Sequence, residues 1–397
     1  MKISKRIANI PESPVRKMDG IAKSVKDKGI NILHLNIGDP DIKTPKAFWK
    51  AVNNFNEDIL GYSSTEGEKE LIDAMVKYYD RFNLNFKFED IVVTVGGSEA
   101  LSMVLSSVAD ANDEVIVFEP YYTNYNSFFD ICEVVPNAIT TSSENGFRLP
   151  SKEEIVAKIN DKTKAILFSN PGNPTGTVYT KKELLMLGEI AREHDLYIIS
   201  DEVYREFVYD GVEYYSPASF KEMDQHTIII DSISKRYSAC GARIGNIACK
   251  NKEFMTQLKK IAQARLCVAT LDQVGATALY NMDQSILTDI KNEYKNRRDF
   301  LFNELDNHDG MKFVKPQGAF YLVLDLPVKN AEHFVTWLLS EFSVNKETVM
   351  LTPAQGFYAS NLGINQVRIA YILDCDKLAR ASKIIKDGLV EYKKKYE

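Results

Sequence analysis

The chain has 397 residues, of which 45% are hydrophobic and 26% charged, with a formal net charge of −6. That length exceeds one small core and predicts two or three domains, or one large domain with a smaller one attached. The acidic balance, with a pI of about 5.6, argues against a nucleic-acid partner, because phosphate binding wants a basic surface.

The N-terminal run MKISKRIANIPESP is basic but lacks the apolar segment of a secretory signal. No stretch approaches the ~20 apolar residues of a membrane span. Five scattered cysteines (Cys132, Cys240, Cys249, Cys267, Cys375) form no CxxC pair and fit a reducing compartment. The five histidines have no metal-ligand spacing, so no metal is expected. The expectation is a cytoplasmic enzyme.

From about residue 90, short β-branched runs alternate with helical patterns. IVVTV (91–95) predicts a strand and SEALSMVLSSVA (98–109) a helix. EVIVFE (114–119) is a strand, SKEEIVAKI (151–159) has helical spacing, and KAILFS (164–169) is a strand. A helix over 180–195 opens on a capping box of Thr180 and Glu183. LYIIS (196–200) and TIIIDS (227–232) are apolar throughout, so both of their faces are covered. The pattern predicts strand–helix–strand units and a mostly parallel sheet. Near residue 270 the character changes. One long helix over 272–305 leads into MKFVKPQGAFYLVLDL, with two strand-like runs flanking Pro316 and Gly318. A helix (330–342), strands (347–351 and 366–372) and a last helix (375–394) follow, as in a smaller α+β domain. The first ~45 residues carry turn signals and are compatible with either part.

In an open parallel sheet, functional loops sit at the carboxyl ends of strands. GGSEA (96–100) follows the first strand; free N–H groups at a helix start favour an anion, although a tight turn capped by Ser98 explains the same letters. PYYTNY (120–125) follows the next, where Tyr122 either stacks on a flat ring or fills a core. NPGNPTG (170–176) forces an irregular backbone, and Asn173 has an amide N–H to donate. DEVY (201–204) puts Asp201 behind a buried strand, which is costly without a facing cation unless Asp201 caps a helix; Tyr204 reaches the same pocket if the chain turns helically. SISKRYSACGARIG (232–245) brings together Ser232, Ser234 and Arg243, which are phosphate-type ligands, around Lys235. A desolvated lysine near other cations has its pKa pushed down, which makes a nucleophile; a surface lysine in a loop is the plainer alternative. Ser238, Ala239 and Gly241 are read as keeping the turn slim enough for Arg243 to fold back. One ligand that satisfies all these strand ends is pyridoxal 5′-phosphate, with its phosphate, flat ring, pyridinium and aldehyde.

NPGNPTG, SDEVY, SISK and GARIG, in this order, resemble the class I/II (fold-type I) aminotransferases, aspartate aminotransferases among them, and the likeness runs from IGDPDIKTP to QVRIAY. The resemblance implies a seven-stranded, mostly parallel sheet sandwiched by helices, with a large cofactor-binding domain (46–290) and a small one (1–45 plus 291–397). It implies that Lys235 is the Schiff-base lysine and Asp201 the partner of the pyridinium. Tyr204 and Asn173 then face the ring 3′-oxygen. Ser232, Arg243 and Ser98, with the amides of Gly97 to Glu99, form the phosphate cup. Tyr122 stands where many relatives carry tryptophan. Tyr62 matches a tyrosine that serves the neighbouring subunit, which implies a homodimer with shared sites. Arg368 matches the arginine that grips the substrate α-carboxylate, and Gly38 lines the same site. Arg265, in AQARLCVAT, lies near where aspartate-specific relatives place a basic residue for the second carboxylate, or it is structural.

The implied activity is ping-pong transamination between an amino acid, aspartate first, and a 2-oxo acid, in amino acid metabolism and biosynthesis. Alternatives on the same fold are a β-C–S lyase, a cyclase and a cofactor-binding regulator. The regulator is disfavoured by the acidic pI and by the absence of a helix-turn-helix before residue 40. An inactive scaffold is disfavoured because Lys235, Asp201 and Arg243 occur together.

Overall fold

The computed structural model describes residues 1–306 and 308–396. Its strands, in chain order, are β1 Asn31–His34, β2 Ile91–Val95, β3 Glu114–Glu119, β4 Val135–Thr140, β5 Thr163–Ser169 and β6 Tyr197–Asp201. They continue with β7 Thr227–Ser232, β8 Ile244–Cys249, β9 Tyr321–Asp325, β10 Glu347–Met350, β11 Thr352–Pro353 and β12 Gln366–Ala370.

Seven of these form the central sheet in the order β2-β8-β7-β6-β5-β3-β4. Strand β8 runs antiparallel to β2 and β7, and the other pairings are parallel. The strands lack polar alternation because each face packs on its own helices. Ile116, Phe118, Ile166, Phe168 and Ile198 share a core with Leu184, Leu187 and Ile190 of the helix Lys181–Glu193. Their neighbours Val115, Val117, Leu167, Ile199 and Ile228 point to the other face, with Leu101 and Leu258. Burying each such side chain contributes about 1.5–3 kcal/mol.

The readings of the central-sheet strands hold, and two strands of that sheet were missed, as were β1 and β11 outside it. In β4, Pro136 and Asn137 interrupt the β-branched run, which an edge strand tolerates. In β8, Gly245 and Asn246 do the same. The capping box is as expected: Thr180 Oγ1 accepts the Glu183 amide at 3.2 Å, and Glu183 accepts the Thr180 amide at 2.7 Å. The helix expected over 151–159 shortens to Lys152–Val156.

The long helix expected over 272–305 is two helices, Thr270–Asn281 and Ile286–Leu305. Side chains compete with the backbone at the break. The Gln284 amide donates to the carbonyls of Leu279, Tyr280 and Met282, and Asp283 accepts the Ser285 amide at 2.9 Å. Of the two runs around Pro316, only the second is a strand, β9; Lys312 makes an isolated bridge to Asp325.

Strands β11, β12 and β9 form an antiparallel sheet, and β1 pairs in parallel with β10. The N-terminal segment thus joins the C-terminal elements. After β1 the chain crosses to the end of β12, where the Leu35 carbonyl accepts the Ala370 amide at 2.8 Å, and Asn36 is fully buried. Within the central sheet the chain leaves β3 outward to β4 and returns to β5 on the other side of β3. The crevice at such a reversal is where open α/β sheets hold ligands. Among the described residues, no helix is long and apolar enough to cross a membrane.

Candidate active site

A pocket opens at the carboxyl ends of β2, β3, β5, β6 and β7. Nine of the site residues implied by the family resemblance line it: Gly97, Ser98, Tyr122, Asn173, Asp201, Tyr204, Ser232, Lys235 and Arg243. Ser234 and Cys240 join them, with Tyr125, Leu101 and Phe128 from the helices behind.

One end of the pocket is built for an anion. The helix Gly96–Val108 starts there, so the amides of Gly97, Ser98 and Glu99 lack intrahelical acceptors. Ser232 Oγ lies 2.7 Å from Ser234 Oγ, and Arg243 approaches from across. Gly96 has a φ of +71°, and a Cβ there would meet Arg243 Nη2 at 2.4 Å, so only glycine lets the guanidinium close over the helix start. Arg243 turns inward through its own left-handed backbone, φ 52°. Ser238 is left-handed too, φ 49°, and its carbonyl accepts Thr44 Oγ1 at 2.5 Å. The expected need for a small residue at Gly241 does not hold, since a Cβ there meets nothing.

At the other end lies Asp201, the last residue of β6. It accepts the Tyr125 hydroxyl at 2.9 Å, and among the described residues no lysine or arginine pairs with it. Burial raises its pKa to about 6, against hydrogen bonds from Tyr125 and the Val203 amide that lower it. Asp201 caps no helix. The facing cation that its burial calls for is not supplied by this chain.

Between these ends Lys235 donates to the Gly38 carbonyl at 2.6 Å, with Cys240 Sγ at 4.0 Å. The expected downward pKa shift is not found. Desolvation pulls the amine down, but Tyr321, Cys240, Tyr122 and Asp39 outweigh it, and the net direction is upward. No second cation crowds the amine as the sequence suggested. Tyr122 packs edge-on to Tyr125 at 5.5 Å.

Arg368, on β12, is buried beside the pocket. It donates to Asn173 Oδ1 at 3.3 Å and to the Asn36 carbonyl, its Nε has no partner, and desolvation lowers its pKa. With its amide oxygen held by Arg368, Asn173 has its NH2 left for a ligand.

Of the named residues, Gly38 and Arg368 lie beside this pocket, and Glu99, Arg265 and Tyr62 are outside it in their own chain. Glu99 turns its carboxylate back to the Val95 amide at 2.7 Å and faces Arg265 at 3.5 Å. Arg265 also donates to the Val93 carbonyl at 2.9 Å, while its Nη1 is unpartnered. Tyr62 is 85% exposed. The segment bearing it runs along 265–270, where Ser63 Oγ donates to the Val268 carbonyl at 3.1 Å. Ile59, Leu60 and Leu266 are exposed on these same segments, as is Val95 at the end of β2.

Sequence reasoning missed Tyr125, Asn36, Tyr321 and the role of Arg236. Tyr125 sat in the quoted PYYTNY run, four residues after Tyr121 at helical spacing. Asn36 and Tyr321 reach the site only through long-range packing. Arg236 is fully buried and pairs with Asp231 at 2.5 Å over the Tyr78 ring.

The donor set fits a phosphorylated pyridine aldehyde: amides, hydroxyls and a guanidinium at one end, an unpaired carboxylate at the other and an amine between them. Comparison with known proteins decides the family. The sequence pattern of "Aminotransferase class I and II" matches residues 30–384. The chain belongs to the class I and II aminotransferases. This aminotransferase is 32% identical to a probable aspartate/prephenate aminotransferase of Aquifex aeolicus, over 98% of this chain and 99% of that one. It superposes on the aspartate aminotransferase of Thermus thermophilus, solved with maleate, at a TM-score of 0.89 and 28% identity, covering 98% of this chain and all of the other. An alanine aminotransferase from Pyrococcus furiosus matches at 0.90 and 30% identity, again over 98% and 100%. The protein is thus an aminotransferase with the mixed seven-stranded sheet of that fold.

Proposed function

We propose that this aminotransferase works with pyridoxal 5′-phosphate in the pocket and moves an amino group from an L-amino acid, aspartate first, to a 2-oxo acid in a ping-pong cycle. One observation carries the reading: Asp201 and Lys235 line one pocket half-buried, and neither has an oppositely charged side chain in ion-pair contact among the described residues. When bound, the cofactor supplies an aldehyde that captures amines and a ring that withdraws electrons.

The rest is work for the chain's own residues. Ser232, Ser234, Arg243 and the amides of Gly97, Ser98 and Glu99 hold the phosphate. Asp201 accepts the ring N–H and so regains the cation its burial demands. Tyr122 covers the ring face, and Tyr204 and Asn173 donate toward the ring oxygen. Arg368 grips the α-carboxylate through its fork beside Gly38. Lys235, as a neutral amine, takes the proton from the substrate α-carbon and returns it on the other side of the reacting system.

The exposed apolar face bearing Ile59, Leu60 and Tyr62 supports a homodimer, with Tyr62 serving the neighbouring copy's phosphate end. Arg265, next to the exposed Leu266 and with an unpartnered Nη1 that is itself buried, is the proposed contact for aspartate's second carboxylate in the neighbouring copy. The division into 46–290 and 1–45 plus 291–397 is supported by the pairing of β1 with β10 and by the packing of helix Ile286–Leu305 on Cys375–Tyr396. A cytoplasmic setting agrees with the scattered free cysteines.

Lys235→Ala tests the reading. Multiple turnover is expected to fall by at least about 10³-fold, and the visible absorbance of lysine-linked cofactor to vanish. Steady-state turnover near that of the wild type overturns the assignment.

A further inference from the structure

Tyr321 opens β9 and is 2% exposed. Three members of the site touch it. Its hydroxyl lies 2.9 Å from the Tyr204 hydroxyl. Its ring lies under Arg368, with the guanidinium carbon 4.7 Å from the ring centre. Its phenol tip also rests on Gly38, where a Cβ would stand 1.8 Å from the hydroxyl oxygen. Gly38 in turn accepts the Lys235 amine. No ordinary side chain fits at Gly38 while Tyr321 holds this position.

The physical logic has two parts. Arg368 is buried with no carboxylate in ion-pair contact among the described residues. A carboxylate partner would stabilise it but occupy the fork meant for substrate. Aromatic faces stabilise a guanidinium from above and leave its N–H edge free. Tyr321 supplies one face, and Phe357 lies 5.0 Å from the same carbon. The second part concerns Tyr204, for which Tyr321 is the hydrogen-bond partner in this structure. When Tyr321 donates, the Tyr204 proton points into the pocket, toward a ring oxygen.

We propose that Tyr321 is a positioning residue with two separable parts: its ring holds Arg368 for the substrate carboxylate, and its hydroxyl sets the proton direction of Tyr204. The inference rests on the proposed function. The groups facing the tyrosine pair are Asp201, Tyr122 and Arg368, and Lys235 itself faces Cys240 and Asp39.

Two variants separate the parts. Tyr321→Phe keeps the ring, so KM for the donor that turns over fastest in the wild type, among L-aspartate, L-alanine and L-tyrosine, stays within about twofold. The pH at which the cofactor's visible band titrates moves by half a unit or more, on the order of what one lost hydrogen bond produces. Tyr321→Leu loses the ring as well, and KM rises on the order of tenfold while the cofactor dissociation constant stays near that of the wild type. If Tyr321→Leu does not fold, Tyr321→Met replaces it. An unmoved spectral titration in Tyr321→Phe overturns the hydroxyl part. Equal KM in the wild type and the ring-less variant, or an equal rise in both variants, overturns the ring part. A wild type with no lysine-linked band sinks the proposed function itself; a normal wild-type band with unmoved variants sinks only the role of Tyr321.

Discussion

Two groups of buried charges lie side by side in this protein and are treated in opposite ways. Glu202, Arg205, Asp231 and Arg236 form a closed chain of ion pairs at 2.6, 3.1 and 2.5 Å, with all four side chains out of solvent. Arg368 is also buried, and Asp201 and Lys235 are half-buried where they line the pocket, yet none of the three has a counter-charge in ion-pair contact among the described residues. The groups are sequence neighbours: Glu202 follows Asp201, and Arg236 follows Lys235. Asp201 ends β6, where adjacent side chains point to opposite sides, and Lys235 and Arg236 lie on the short helix Ile233–Arg236, where adjacent side chains diverge by about 100°, so one side of each segment is neutralised and the other is left charged toward the pocket. The paired set anchors the two segments, since Arg236 also donates to the Ser232 carbonyl at 3.0 Å. The lesson is that a buried charge with its partner reads as structure, and one without reads as function.

The sharpest way to break this contrast is Asp231→Ala. It leaves Arg236 without its carboxylate, and removing one partner of a buried pair costs about 3–5 kcal/mol. Urea unfolding of the holoenzyme at neutral pH measures it; an unchanged midpoint means the chain is no anchor.

Asp201→Asn is expected to act in the other direction on the cofactor-free protein. In the native state Asp201 keeps its proton up to about pH 6, whereas in the unfolded chain it loses it near its ordinary value of 3.8. Between those values the native state binds more protons, so stability falls as pH rises. The fall amounts to roughly 3 kcal/mol and is complete above the folded pKa. The variant lacks this term, so its stability relative to the wild type rises from pH 4 to pH 7. Parallel pH profiles of urea midpoints would show that Asp201 has a hidden partner.

The smallest effect sharpens the assignment of Arg265, which is half in each camp: it faces Glu99 yet has an unpartnered Nη1. Arg265→Ala should lower kcat/KM for aspartate by about tenfold and leave alanine unchanged. An equal loss for both donors makes Arg265 purely structural.

Much of this was legible in the sequence because the chemistry follows the strands. Apolar runs with abrupt polar ends located Asp201, Ser232, Lys235 and Asn173, and both the sheet and the pocket follow from them. What escaped depended on contacts far apart in sequence. Tyr321 meets Tyr204 across 117 residues, and nothing local in GAFY marks it. Arg236 had no role beyond local packing in the sequence, because its partners Asp231 and Tyr78 are brought in by the fold. The break at 282–285 escaped because helical periodicity does not register a glutamine that bonds three carbonyls.

The short crossing after β1 has a kinetic consequence. Its Asn36 carbonyl receives Arg368 and its Gly38 carbonyl receives Lys235. Both cations are therefore matched to neutral dipoles of one backbone stretch. An incoming carboxylate competes against dipoles, which it outbids by its full charge. A departing one leaves behind donors that are satisfied again at once. Two acids must enter and two must leave in each full cycle, and an arginine that re-partners with a backbone carbonyl this way is not left bare when one of them departs.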